Sequence, residues 1–207
     1  MSKVKVAVVF YSSTGTNYKM AKWAAAGAEA AGAEVKLLKV PELMPQSVID
    51  ADPLKLAHQK DVADVPEVKP EDLNWADGIV FNVSARFGIM ASPMKAFFDS
   101  VGGLWAQGKL VNKVVSATSS AQNPHGGQEA VLLSLYTSMY HWGAIVAAPG
   151  YTDASVFAVG GNPYGTSATV SPEGVIQEDE DALKTSVMHQ AKRTAEVAGW
   201  VKQGMGN

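Results

Sequence analysis

Between an apolar run and an alanine-rich helix lies the turn Ser12-Ser13-Thr14-Gly15-Thr16-Asn17: five hydroxyl or amide side chains and one glycine, with no charged group among them. A helix beginning near Asn17 leaves its first amide N–H groups without intrahelical partners. Donors on Ser12, Ser13, Thr14, Thr16 and Asn17 add to those amides, and together they make a cup for an anion such as a phosphate. Each hydrogen bond to a charged oxygen is worth about 1.5–3 kcal/mol, against roughly 0.3–1 kcal/mol from the helix dipole. Several neutral donors therefore outweigh the dipole, and no lysine is required. Gly15 lets the backbone approach closely or take positive φ. An ordinary helix N-cap needs only one such side chain.

Competing signatures are missing. G-x-x-x-x-G-K-[ST] does not occur, which excludes a P-loop NTPase, and the turn lacks G-x-G-x-x-G. The aspartate of a phospho-acceptor domain is replaced by Tyr11 and Ser12, and the third strand ends in Asn82. There is no cysteine, so disulfides, thiolate nucleophiles and Cys-held metals are excluded. His58, His125, His141 and His189 have no metal-ligand spacing, and no metal site is expected.

The elements that must position this turn follow from apolar patterning. KVAVVFY (5–11), EVKLLK (34–39), DGIVFNV (77–83), NKVVSATS (112–119) and AIVAAPG (144–150) read as buried strands. Helices are expected over 17–31, 92–101, 128–142 and 178–204. Strands alternating with helices imply a parallel sheet covered on both faces, within a single α/β domain spanning 1–207. Val40–Pro70, with five prolines and no clean period, and the Gly/Ser/Pro-rich Tyr151–Gly174 read as long surface connections. Connections of that length are usually functional. The chain is 47% hydrophobic and has a net charge of −3, which gives no electrostatic basis for nucleic acid as a partner. No apolar run reaches the roughly 18 residues of a membrane span. The start lacks a signal-peptide pattern, and a cytoplasmic location is expected.

Open α/β sheets bind ligands at the carboxyl edge of their strands. Two further loops, SARFGIM (84–90) and SAQNPHGGQ (120–128), should reach that edge beside the first. With them the chain resembles flavodoxin-like proteins, and more narrowly the WrbA family of FMN-dependent NAD(P)H:quinone oxidoreductases. The most specific stretches are ARFGIMASPMKAFFDSVGGLWAQGKL (85–110), HGGQEAV (125–131), YHWGAIVAAPGY (140–151) and GGNPYG (160–165). The resemblance implies a doubly wound, five-stranded parallel sheet in the order 2-1-3-4-5. It implies that Ser12–Asn17 hold the FMN phosphate and that Ala85, Arg86, Phe87 and Gly88 lie beside the isoalloxazine ring. Ser120, Ala121, Gln122, Asn123, Pro124, His125 and Gly126 match the third FMN loop, and His141 matches a residue near the flavin pyrimidine. Trp105 matches an aromatic wall of the substrate pocket contributed by a neighbouring subunit. The turn departs from the family at Thr14 and Thr16, where an aromatic residue and a histidine are usual, and the third loop is one residue longer.

The activity implied is hydride transfer from NAD(P)H to FMN and two-electron reduction of a quinone in alternation, by a homotetramer. Phe87 or Trp105 suits a flat apolar wall, and Arg86 or His141 the negative charge that develops on flavin reduction. Read without the family, Phe87 could be core, Arg86 a surface ion pair, Trp105 helix-end packing and His141 a partner of its helix dipole. Two other functions fit such a chain: a flavodoxin-type electron carrier, and a regulatory flavin-binding protein without turnover. Carriers of that kind are usually small, strongly acidic monomers, and no DNA-reading motif is present.

Overall fold

The structure is a computed structural model that describes residues 2–206. β1 (Lys5–Tyr11) leads through the Ser12–Gly15 turn into α1 (Thr16–Ala30), and β2 (Glu34–Lys39) follows. Next come three short helices, α2 (Gln46–Asp50), α3 (Pro53–Asp61) and α4 (Pro70–Trp75). β3 (Gly78–Arg86) turns back as the two-residue β4 (Ile89–Met90), then α5 (Ser92–Ser100), α6 (Gly102–Ala106) and β5 (Val114–Ala121). The chain closes with α7 (Gln128–Trp142), β6 (Ile145–Val146), α8 (Ala154–Ala158), β7 (Ser167–Thr169) and α9 (Glu180–Gly204).

The main sheet is parallel, in the order β2-β1-β3-β5-β6. With β4 set aside, this is the 2-1-3-4-5 order expected. Seven strands are present among the described residues rather than five, for two reasons. β4 is the antiparallel return of β3, pairing Ala85 with Met90. The fifth strand is split: β6 pairs with Val114 and Val115, the chain leaves over 147–166, and β7 rejoins the same edge opposite Ser119–Ala121. The expected strand over 144–150 is shorter: β6 ends at Val146, with a last ladder bond from Ala147 N–H to the Val115 carbonyl, and Pro149 beyond it has no N–H to extend the ladder.

Side chains bridge the gap that the split leaves. Ala117 donates its N–H to the Tyr136 hydroxyl at 3.1 Å, and its carbonyl accepts from Gln190 Nε2 at 2.8 Å. Tyr136 in turn donates to the Tyr164 carbonyl at 2.7 Å, and Gln190 Oε1 accepts from Thr166 N–H at 2.8 Å. A tyrosine and a glutamine thus do the work of the absent strand backbone.

Alternation along β1 sends Val6, Val8 and Phe10 to one face and Ala7, Val9 and Tyr11 to the other, and all six are buried. On the first face they meet Met20 and Ala24 of α1 and Leu183 and Val187 of α9. On the second they meet Phe97 and Phe98 of α5 and Leu132 and Leu135 of α7. Fully burying such a side chain stabilises by about 1.5–3 kcal/mol. Helices α1 and α9 approach closely at Gly27, where a Cβ would stand 2.4 Å from the Met188 carbonyl oxygen.

The Val40–Pro70 segment, expected to be irregular, contains α2 and α3. Its prolines start helices rather than break them: Pro53 occupies the first turn of α3 and Pro70 that of α4. Pro fits there because those N–H groups lack intrahelical partners anyway. Asp52 caps α3 by accepting from Leu54 N–H at 3.0 Å and Lys55 N–H at 3.3 Å.

Candidate active site

The carboxyl ends of β1, β3 and β5 meet at one cleft of about 540 Å³. At the first loop, Gly15 has φ of 105° and stands at the start of α1, whose N-terminus has no side-chain cap. Its leading amides are therefore open to a ligand anion. Ser12 Oγ accepts from Gly15 N–H at 3.0 Å, which shapes the turn and leaves the hydroxyl proton free to donate. Asn17 is 1% exposed, and its side-chain amide is engaged within the fold. Its amide donates to Ser84 Oγ at 2.8 Å and to Ser120 Oγ at 2.9 Å, so one side chain ties the ends of three elements together. Its Oδ1 is buried without a partner among the described residues, as is Oε1 of Gln128 beside the third loop.

The second loop is the tight connection from β3 to β4. Phe87 and Gly88 both have positive φ, 51° and 79°, as the favoured two-residue hairpins require. Phe87 is thereby thrust fully into solvent, which excludes a core role. Arg86 makes no ion pair among the described residues. It donates through Nη2 to Ser13 Oγ at 2.6 Å and through Nη1 to the Ala85 carbonyl at 3.0 Å. Its charge is thus held over the first loop by neutral partners and remains available to an anionic ligand.

In the third loop, Asn123 organises the turn. Its Oδ1 accepts from His125 N–H at 3.0 Å, and its carbonyl accepts from Gly126 N–H at 3.0 Å and Gln128 Nε2 at 2.9 Å. Gly127 starts α7 with φ of 89°, and a Cβ there would stand 2.6 Å from Gly88 Cα, so the second and third loops touch backbone to backbone.

Ser12, Ser13, Thr14, Thr16, Asn17, Ala85, Arg86, Phe87, Ser120, Ala121, Gln122, Asn123 and Gly126 all line the cleft. Gly15 and Gly88 shape it through their backbones. Pro124 and His125 face a neighbouring depression with Glu129 and Glu178. His141 and Trp105 are elsewhere. His141 sits in the last turn of α7, roughly 20 Å along that helix from the third loop. There its carbonyl accepts from Trp105 Nε1 at 2.9 Å. Trp105 is 55% exposed.

The structure adds residues that sequence reasoning missed. Ser84 lies in the cleft as a partner of Asn17. Asp52, Leu54 and Lys55 enter from the start of α3, and Val170, Ser171, Pro172 and Gly174 from the second long connection. Leu54 Cδ1 lies 3.6 Å from where a Gly174 Cβ would be, so the two connections meet over the cleft. The Asp-Pro pair at 52–53 is a helix-start signal that would have located α3. Lys55 pairs with Asp52, whose carboxyl is held below the usual carboxylate range chiefly by that lysine. Tyr11 donates to Glu42 at 3.0 Å, and burial, followed by that carboxylate, pushes its phenol up.

The uncapped N-terminus of α1, the orphaned Asn17 amide oxygen and Arg86 fit an FMN-sized ligand with a terminal phosphate, a ribityl chain and an anion-forming ring. A parallel sheet in this order, with ligand loops after its first, third and fourth main strands, defines a flavodoxin-like protein. The fold is similar to that of a flavodoxin, WrbA-like protein from Agrobacterium tumefaciens: TM-score 0.66, 19% identity, 96% of this chain and 99% of that one covered. It is similar also to two-electron reduced Megasphaera elsdenii flavodoxin: TM-score 0.52, 16% identity, 92% and 98% covered. Residues 4–157 match the family described as NADPH-dependent FMN reductase. In sequence the chain is 50% identical over 196 residues to the NAD(P)H dehydrogenase (quinone) of Deinococcus radiodurans, covering 95% of this chain and 98% of that protein. The protein of the same name from Caulobacter vibrioides is 41% identical over 198 residues, covering 94% and 96%. The chain belongs to the NADPH-dependent FMN reductase family and, within it, to the WrbA-type flavoproteins that its sequence resembles.

Proposed function

We propose that the protein is an FMN-dependent NAD(P)H:quinone oxidoreductase that reduces quinones by two electrons, its two substrates using one pocket in turn. The observation that carries this reading is the meeting of three loops around an uncapped helix N-terminus under a guanidinium that has no acidic partner among the described residues. FMN, when bound, supplies the chemistry of accepting a hydride and passing on two electrons. The chain's own residues bind and orient. The α1 amides with Ser12, Ser13, Thr14 and Thr16 hold the phosphate, and Asn17 fixes the spacing of the three loops. Arg86 keeps a fixed positive charge at the cleft, which favours a bound group as it gains negative charge. Phe87 offers an exposed aromatic face.

The reading extends to a homotetramer in which Trp105 and His141 of one copy approach the cleft of another. Two observations support it. No residue of α6, which carries Trp105, is buried. Beside the cleft, the exposed Leu43, Phe87 and Ile89 line an open depression of about 520 Å³. No helix among the described residues is long and apolar enough to cross a membrane, and we place the activity in the cytoplasm.

The purified protein should be yellow, and the released chromophore should have the mass of FMN; FAD would overturn the cofactor assignment. Thr16→Glu should abolish flavin binding, because a carboxylate in the same cup repels the phosphate. Steady-state NAD(P)H oxidation that depends on added quinone separates an enzyme from an electron carrier or a regulatory protein.

A further inference from the structure

Behind the first loop, a second cavity of about 170 Å³ opens between β1, β2 and α3. His58 of α3 forms part of its wall and is only 7% exposed. Its Nδ1 is buried with no hydrogen-bond partner among the described residues. That nitrogen lies 3.8 Å from where a Cβ on Gly15 would stand, so the ring abuts the start of α1 from behind. The Tyr18 ring of α1 lies 5.9 Å away, centroid to centroid. Charged and titratable groups face the imidazole from every side: Tyr11 of β1, Lys39 of β2, Glu42 and Glu67 of the connections, and Lys55 and Asp61 of α3 itself. Several of these are engaged elsewhere. Lys39 donates to the Val62 carbonyl, Glu42 accepts from Tyr11, and Lys55 pairs with Asp52. Burial pulls the His58 pKa below the ordinary histidine value, while the Ser12 backbone, Asp61 and Glu42 pull the other way.

We propose that His58 is a proton-accepting support of the phosphate loop: it is neutral in the flavin-free protein and takes up a proton when a phosphate dianion occupies the loop in front of it. The proton comes from solvent and goes to Nδ1, the unpartnered nitrogen nearest Gly15. A nearby anion favours the charged imidazole. By linkage, protonation must strengthen phosphate binding by the same factor that phosphate strengthens protonation. His58 touches the loop and not the ligand, so it is a positioning residue. The inference rests on the reading of Ser12–Asn17 as the FMN phosphate site.

The test titrates flavin-free protein with FMN across about pH 5.5–8.5, the range in which histidines titrate. Flavin fluorescence gives the affinity, and calorimetry in buffers of different ionisation enthalpy gives the protons exchanged. The native protein should take up a fraction of a proton per FMN. His58→Gln should still bind FMN but lose that uptake, and its affinity should depart from the native value by roughly threefold to tenfold per pH unit through the window. Free phosphate titrates near pH 6 in both proteins, so the difference between them isolates His58. Riboflavin, which lacks the phosphate, should bind the native protein without proton uptake; this comparison stands even if His58→Gln fails to fold. Equal proton counts for native and variant, or equal uptake with riboflavin and FMN, overturn the proposal and leave the FMN reading intact. Failure of the native protein to bind FMN overturns both.

Discussion

Asn17 offers the sharpest separation of architecture from ligand electrostatics. Asn17→Ala removes two buried hydrogen bonds, to Ser84 Oγ at 2.8 Å and Ser120 Oγ at 2.9 Å. At about 0.5–1.5 kcal/mol each, the loss is roughly 1–3 kcal/mol, or about 2–12 °C in Tm for a domain of this size. Both serines are 6% exposed, so their hydroxyls are left with little water to turn to. Asn17→Asp behaves differently. The two hydroxyls can rotate to donate to a carboxylate, so the three ends stay tied and Tm should fall less than in Asn17→Ala. That carboxylate, however, stands in the phosphate loop. Unit charges about 4 Å apart near a protein surface interact by roughly 4 kcal/mol, which is enough to weaken FMN binding by at least about a hundredfold. The assay is thermal unfolding of the flavin-free variants, paired with FMN titration by fluorescence quenching. The alanine variant should lose more stability and the aspartate variant more affinity. The same ordering in both measurements would refute this reasoning, because Asn17 would then serve a single role.

Other expectations follow from geometry. Gly27→Ala should gain about 1 kcal/mol of helix propensity but lose roughly 1–3 kcal/mol or more to overpacking, because its Cβ meets the Met188 carbonyl oxygen at 2.4 Å. Net destabilisation on thermal unfolding is expected, and a rise in Tm would contradict the close α1–α9 approach. Trp105→Ala should leave FMN content unchanged and weaken apparent quinone affinity by roughly threefold to tenfold, the loss of an aromatic contact; lost FMN with unaltered quinone kinetics would put Trp105 in the cofactor site or the core. Light scattering at micromolar concentration should give a tetramer mass, and a monomer would remove the shared-site arrangement. Burial lowers the His58 pKa in the folded protein, so the unfolded chain binds more protons just below about pH 6.5. Stability should therefore drop as pH falls through that value and level off below the folded-state pKa. His58→Gln should flatten this acid limb in urea titrations.

Much of this was legible in the sequence. The five buried runs and the helices between them reflect local periodicity, and the SSTGTN turn carries its chemistry in residue type alone. Arg86 and Phe87 were visible as residues, but their settings were not. Whether Arg86 meets an acid or Ser13 depends on the partner 73 positions away, and the exposure of Phe87 depends on a hairpin whose strand β4 is two residues long. Asn17 read as an anion donor because its type allows it; its amide is instead consumed by serines 67 and 103 positions distant. The short helices α2 and α3 give too few turns for an apolar period to emerge, which hid Lys55 and His58. The fifth strand read as continuous because Val146, Ala147 and Ala148 are apolar, whereas its second half comes from Ser167–Thr169, which carries no apolar alternation.

The divided fifth strand also bears on how the sheet edge resists pairing with another chain. The end of a parallel sheet presents a row of backbone donors and acceptors that another chain's extended segment can copy, and such rows seed aggregation. Here the terminal pieces are two and three residues long, set apart along β5. The backbone between them, at Ala117, is already occupied by Tyr136 and Gln190 from two different helices. An incoming strand would find no unbroken row to pair with and would have to displace two buried side chains before extending past the break. The detour over 147–166 thus protects the sheet edge as well as carrying the chain around it.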